Sequence, residues 1–397
     1  MSAAPKKKPD QNFLDHRAPL LAGTVASITG TAASAGLVLA ALSSLGATKP
    51  QTTSAIVVLL TFYGLLSILL STKFKMPISI VWSTPGAALL ISSGALGLPF
   101  SSSVGAFIVS GFLLLLTGFW PALGRLVSSI PRPIASAMLA GVIFNFCIAP
   151  FKSATDFPWL VLPGLVVWLV LYKYATVWAT PVAMVIIFAS TAFALGITVD
   201  PAEFWPTIEF VTPTFDIAAI LGISIPLYLV TMASQNIPGI AIMKSFGYEV
   251  PFKPVMASTG LASIIAGFFG GMSMNLAAIT AALNANEHAH KDANRRWLAS
   301  VYGGYFYILI ALFTGATVAF VLQSPRELIL AAAGIALLGT IISALSSAVE
   351  VAQLRLPAMV TFLVTASGLS AFSIGSAFWA LIAGLLVWGW LQLKSSN

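Results

Sequence analysis

Long apolar runs, separated by short polar or charged breaks, fill the chain from residue 18 to residue 393. Several exceed the roughly 20 residues that a helix needs to cross a bilayer. Charges, Pro/Gly clusters and polar loops delimit segments at 18–46, 53–71, 77–97, 101–119, 132–150, 158–173 and 178–197. A polar, acidic stretch over 198–216 follows, and then segments at 217–235, 254–270, 271–287, 297–322, 326–350, 355–369 and 373–393. A helical stretch at 237–246 is placed in the connection after the eighth segment. The pattern predicts an all-α membrane protein with fourteen transmembrane segments, seven in each half. Residues 1–17 are then an N-terminal tail, 18–197 a first repeat, 198–216 an external linker, 217–393 a second repeat and 394–397 a C-terminal tail.

Two segments interrupt their own helix. "FKMPISIVWSTPGAALL" at 74–90 alternates, carries β-branched residues and reaches Pro85-Gly86, which opens a helix better than it continues one. The spacing predicts a short strand over 77–82 and a half-helix over 84–97. "GFFGGMSMNLAAITAALNANEHAH" at 267–290 predicts an extended stretch over 271–275 and a half-helix over 276–287. The two are third in their halves and about 193 positions apart, and "PRPIASAMLAG" in segment five is echoed by "PRELILAAAG" in segment twelve. An odd number of spans per half inverts the second half, so the pattern is that of an inverted-topology repeat, a mark of secondary transporters.

In hydrocarbon, non-helical backbone is tolerated only where protein or a cavity satisfies its polar groups. Two half-helices from inverted repeats would meet near the midplane with their N-termini converging. Each N-terminus offers unsatisfied N–H groups and about half a positive charge, which suits an anion without a buried lysine or arginine. Ser83, Thr84, Gly86, Ser273, Met274 and Asn275 lie at these starts and are the substrate-binding candidates. For the hydroxyls and the amide, N-capping and ligand contact are compatible roles. Gln235, beside Asn236 in segment eight, is a further candidate; a polar amide in a span serves either a ligand or a helix–helix hydrogen bond. Gly267 and Gly271 also read as a small-residue packing motif.

Of 397 residues, 58% are hydrophobic and only 8% charged, far below the roughly 25% of a soluble chain. The net charge of +7 does not signal a nucleic-acid partner, because its placement follows topology. With an inside N-terminus and fourteen crossings, sixteen basic residues fall inside, and only Lys49, Lys152 and Arg326 fall outside. This is the bias of cytoplasmic loops, and it puts both termini in the cytoplasm of a bacterial inner-membrane protein. The single cysteine, Cys147, excludes an internal disulfide. "NEHAHKDANRR" (286–296) lacks HExxH spacing and reads as a loop, not a metal site. Glu287, which ends the second half-helix, is the candidate for proton coupling. Neither a nucleotide-binding motif nor a catalytic constellation within spans is present, so a pump and an enzyme are excluded and no cofactor is expected.

"STPGAALL", "TMASQNIPGIAIMKSFGY" (231–248) and "GGMSMNLAAITAAL" mark the chain as one that resembles the bacterial benzoate:proton symporters, the BenE family, over nearly its whole length. The resemblance implies proton-coupled uptake of benzoate or a similar aromatic carboxylate. Its architecture is similar to that of uracil, xanthine and sulfate permeases. It implies a core domain (segments 1–4 and 8–11) moving in an elevator-like manner against a gate domain (5–7 and 12–14), often in a homodimer. Uracil-type permeases carry acidic residues in segments eight and ten; here those regions read Ser234-Gln235-Asn236 and Met272-Ser273-Met274-Asn275. A missing carboxylate suits an anionic substrate. Alternatives at this stage are another small organic anion, a nucleobase-like substrate, or an uncoupled anion channel. Trp82, Tyr228 and Phe269 are aromatic residues near the breaks that could face a benzoate ring.

Overall fold

The computed structural model describes residues 11–32, 34–369, 371 and 376–393. Lys6, Lys7, Lys8 and the 394–397 tail lie outside the described residues. Helices α1 (Gln11–Ala32), α2 (Ala35–Ser44) and α3 (Lys49–Phe74) lead to strand β1 (Ile80–Trp82) and the short helix α4 (Thr84–Ser93), which ends in a 3₁₀ turn. Next come α5 (Phe100–Phe119), α6 (Pro121–Ser128), α7 (Arg132–Cys147), α8 (Ala149–Asp156), α9 (Pro158–Tyr174) and α10 (Thr176–Leu195). Beyond the linker, α11 (Ile217–Ala219), α12 (Ile225–Thr231) and α13 (Ile237–Ser245) are joined by π-helical turns at Ile220–Ser224 and Met232–Asn236. Then follow α14 (Phe252–Gly267), β2 (Met274–Leu276), α15 (Ile279–Ala285), α16 (Trp297–Ala311), α17 (Thr314–Gln323), α18 (Arg326–Val349), α19 (Arg355–Ala366) and α20 (Ser376–Gln392).

Among the described residues, seven helical stretches are long and apolar enough to cross a bilayer, and α16 with α17, bent by 59°, makes an eighth. Length alone therefore supports fewer spans than the fourteen expected from the pattern. Two of the segments are broken, and a 7-residue α15 rises only about 10 Å at 1.5 Å per residue; α9, α19 and α20 are unbroken but only 17, 12 and 17 residues long. The stretch at 237–246, expected in a connection, instead continues segment eight, because the π turns carry one 29-residue helix from Ile217 to Ser245.

β1 and β2 pair antiparallel, with Ile80 opposite Leu276, Val81 opposite Asn275 and Trp82 opposite Met274. β1 lies inside the expected 77–82. The second break is displaced from its expected place: the strand comes at 274–276 instead of 271–275, and the helix starts at 279 instead of 276. Gly270 turns the chain out of α14 at φ +83°, and the Gly271 amide closes that turn on Ala266 O. The ladder then continues as Ala277 N donates to Ser79 O at 2.8 Å, so the next helix cannot begin earlier.

Helical neighbours supply partners for the other amides of the breaks. Ser67 Oγ accepts from Ile80 N at 3.0 Å, and Ser71 Oγ both accepts from Ile78 N and donates to Ile78 O. Across the sheet, Ser263 Oγ accepts from Met274 N at 2.8 Å and Asn236 Oδ1 from Leu276 N at 2.9 Å. Asn284 Nδ2 donates to Ser79 Oγ and Ser300 Oγ, closing a buried polar triangle. Apart from Ser79, which lies in the first break itself, these side chains sit on helical segments beside the breaks.

The helices pack most extensively in two groups. In one, α5 lies on α14, α3 on α16, and α16 on α1. Small residues permit the approach: a Cβ on Gly64 would stand 2.5 Å from Gly304 O, the close crossing that glycine allows in membranes. In the other group, α7 packs on α18 and α19, α9 on α10, and α19 on α20.

Asn236→Ala removes the acceptor of a buried strand amide, which costs about 1–3 kcal/mol. Thermal unfolding of the purified variant in detergent should show a lower midpoint than the parent; an unchanged midpoint would mean that the Leu276 amide finds another partner.

Candidate functional site

A cavity of about 330 Å³ lies between the two packing groups, at the small end of the roughly 300–1,000 Å³ usual for ligand pockets. The first group contributes Thr29 and Thr31 from α1, Tyr63 from α3, Val81 and Trp82 from β1, Gln235 and Tyr307. The second contributes Trp168, Tyr172, Thr176 and Thr180 from α9 and α10, and Thr340 from α18. The starts of both short helices reach it through Thr84, Pro85, Ala277, Ala278 and Thr280. Every lining residue is uncharged.

Donor atoms are nonetheless plentiful. Tyr63 OH, Thr29 Oγ1 and Thr31 Oγ1 are buried and have no hydrogen-bond partner among the described residues. Leaving a buried hydroxyl unpaired costs about 1–3 kcal/mol, so three together are an expense unless a ligand or water meets them. Tyr63 is held by edge-on contacts with Trp82 (centroids 5.5 Å) and Tyr307 (5.9 Å). Trp82 is held in turn by its Nε1, which donates to Ser34 Oγ at 2.7 Å. The rings and hydroxyls thus form one buttressed wall.

The sequence candidates divide on this geometry. Thr84 and Gln235 line the cavity; Gln235 does so from the π turn, which widens the helix there. Ser83 is an N-cap, its Oγ accepting from Gly86 N at 3.0 Å. With Pro85 lacking an N–H, α4 therefore offers less free amide than a regular helix start. Gly86 serves packing, since a Cβ there would lie 2.6 Å from Leu227 Cδ1. Ser273 donates to Ser110 Oγ at 2.8 Å, outside the cavity lining. Met274 is fully buried in β2. Asn275 stands opposite Val81; its Nδ2 donates to Leu276 O and its Oδ1 is buried without a partner among the described residues. Because α15 starts only at 279, Ser273, Met274 and Asn275 do not flank a helix start.

Glu287 is exposed and lies beyond the end of α15. The loop around it is structural: Arg296 donates to Ala285 O, the last carbonyl of α15, and to His290 O in the loop, both at 2.8 Å. Of the three aromatic candidates, Trp82 lines the cavity, Tyr228 pairs with Thr117 Oγ1 at 2.6 Å and Phe269 meets Phe210 edge-on. Thr29, Thr31, Tyr63, Trp168 and Tyr307 were not legible as site residues. Their only sequence signal is a polar or aromatic residue within a span, which many spans share.

The profile of a family described as benzoate membrane transport protein (BenE) matches residues 15–389. The chain belongs to the BenE family. Among relatives, this BenE protein is 40% identical over 370 residues to "Inner membrane protein YdcO" of Escherichia coli (strain K12), covering 92% of this chain and 93% of the relative. It is 34% identical over 322 residues to "Benzoate membrane transport protein" of Acinetobacter baylyi, covering 81% and 82%. Its fold is similar to the transmembrane domain of the cyanobacterial bicarbonate transporter BicA, at TM-score 0.60 and 14% identity, over 94% of this chain and 98% of that one. Murine Slc26a9, an anion transporter solved in the inward-facing state, matches at TM-score 0.57 and 13% identity, over 98% and 73%. The BenE chain is a multi-pass membrane transporter, not an enzyme.

Tyr63→Phe removes a hydroxyl that has no partner, so the unfolding midpoint of the substrate-free protein should stay equal or rise. A clear fall would show that the hydroxyl is bonded within the protein.

Proposed function

We propose that this BenE protein is a proton-coupled secondary transporter that takes up benzoate or a similar aromatic carboxylate across the inner membrane. The observation that carries this reading is the set of unpartnered hydroxyls of Tyr63, Thr29 and Thr31 facing an uncharged cavity walled by Trp82, Trp168 and Tyr172. Neutral donors and the starts of α4 and α15 hold the carboxylate, and the rings cover its aromatic body. Hydrogen bonds to a charged group are worth about 1.5–3 kcal/mol each, while no fixed cation is left to trap the anion after the solute departs. The curated relative whose name includes benzoate supports the substrate class.

The reading takes fourteen segments in a 7+7 inverted repeat, with α4 and α15 as half-helices of segments three and ten. The core domain is α1 to α5 with α11 to α17, and the gate domain is α7 to α10 with α18 to α20. The two packing groups support this division, since the cavity lies between them. Alternating access is movement of core against gate. Positive-inside bias supports cytoplasmic termini; homodimer formation rests on the family resemblance alone. No carboxylate or histidine lines the cavity, so in this reading the proton enters with the substrate carboxylate and Glu287 has no direct role.

Labelled benzoate uptake into proteoliposomes should exceed empty-liposome controls under an inward proton gradient and collapse with a protonophore. Uptake at control level would remove benzoate as substrate; flux that never exceeds equilibrium would indicate a channel. Tyr63→Phe should raise KM about tenfold, the equivalent of roughly 1.4 kcal/mol, with protein level unchanged. A KM equal to that of the parent would remove the hydroxyl from the site.

A further inference from the structure

A second cavity, of about 600 Å³, is lined by Ser43 and Ser44 at the end of α2, by Gly94 and Ala95 after α4, by Ser324, and by Arg326 at the start of α18. Arg326 is its only charged lining residue. It is exposed and makes no ion pair with the described residues, where Lys49 and Glu203 form the one ion pair present. Both cavities lie between the same two helix groups, and α18 lines each of them, through Thr340 in the first and Arg326 in the second.

The space between them is closed by side chains. Phe188 of α10 meets Phe320 of α17 edge-on, with centroids 5.8 Å apart. Phe188 and Met184 also reach the backbone at Gly36, where an added Cβ would lie 3.5 and 3.7 Å from them. Ala183, Met184 and Ile187 form a fully buried cluster with Ala332 and Ile335 of α18. Thr176 and Thr180, at the start of α10 beside Lys173, line the first cavity, while Arg326 stands at the opposite end of the span that carries Thr340.

We propose that the Arg326 cavity is the external vestibule of the transport path, a transient carboxylate site that gathers anions before the Phe188–Phe320 seal opens. The inference rests on the reading of the protein as an anion importer with cytoplasmic termini. The nearby linker is acidic: Glu203 is ion-paired with Lys49, while Glu209 accepts from Gln51 and Asp200 and Asp216 cap Ala202 N and Ala218 N, bonds from neutral donors that leave their charge in place. None of these carboxylates, nor Glu327 or Lys152, lines the cavity, so Arg326 is the charge closest to a solute within it. A cation in a cleft raises the local concentration of anions, and salt weakens the effect.

Ser43→Cys in a Cys147→Ser background gives a unique thiol in this cavity, since Cys147 is the single cysteine. Intact cells would be treated with membrane-impermeant methanethiosulfonates, one carrying a sulfonate and one a trimethylammonium. With each rate normalised to that of the same reagent with a free small-molecule thiol, the sulfonate reagent should be favoured by roughly three-fold or more, as expected for one charge several ångströms away at high dielectric. Arg326→Gln should abolish the preference, Arg326→Lys should retain it, and added salt should reduce it. In uptake assays Arg326→Gln should raise KM several-fold and leave the maximal rate unchanged. A thiol unreactive from outside, or a preference unchanged by Arg326→Gln, overturns the vestibule. The labelling needs no transport, so absence of benzoate uptake by the parent protein would defeat the substrate reading and leave this result standing on its own.

Discussion

A backbone amide without a partner in hydrocarbon costs several kcal/mol, and the centre of this protein is organised by that cost. The chain leaves the helix in the interior around β1 and again around β2, so the amides there need partners from elsewhere. The three-residue pairing of β1 with β2 meets part of the need. Ser67, Ser71, Ser263 and Asn236, each on a neighbouring helix, meet much of the rest. These bonds fix where each strand ends, and hence where α4 and α15 begin.

That placement determines what the cavity can do. The starts of α4 and α15, the rings of Tyr63, Trp82 and Tyr307, and the hydroxyls of α1 meet one space because the strands hold them there. All are neutral donors or aromatic surfaces. A cavity so built can hold an anion in a low-dielectric setting without a permanent counter-charge. In the proposed alternating-access mechanism the empty carrier returns through the membrane interior, and a buried unpaired cation would make that return costly. The proposed division of labour, with neutral donors at the central site and a cation only in the outer vestibule, follows from the same desolvation cost.

The fold echoes that of transporters with about 14% identity, which means that few side chains are held in common with them. What is shared with them is the overall path of the backbone. The side chains around that path are left to set the chemistry, and here they are threonine, tyrosine and tryptophan.

Apolar run length and charge placement by themselves determined that the chain is a polytopic helical membrane protein, and Pro85-Gly86 and Gly270-Gly271 located both breaks. Those are local signals: hydropathy over one span, or a residue that helices reject. The register of β2 was set instead by pairing with β1 and by Ala277 meeting Ser79, which shifted the second helix start beyond Ser273 and Asn275. Ser83 and Gly86 went to capping and packing, as each position's neighbours required. Tyr63, Thr29 and Thr31 became site candidates only once helices remote in sequence left their hydroxyls without partners. Whether a polar atom in a span is satisfied depends on what lies across the interface, and only the tertiary structure decides that.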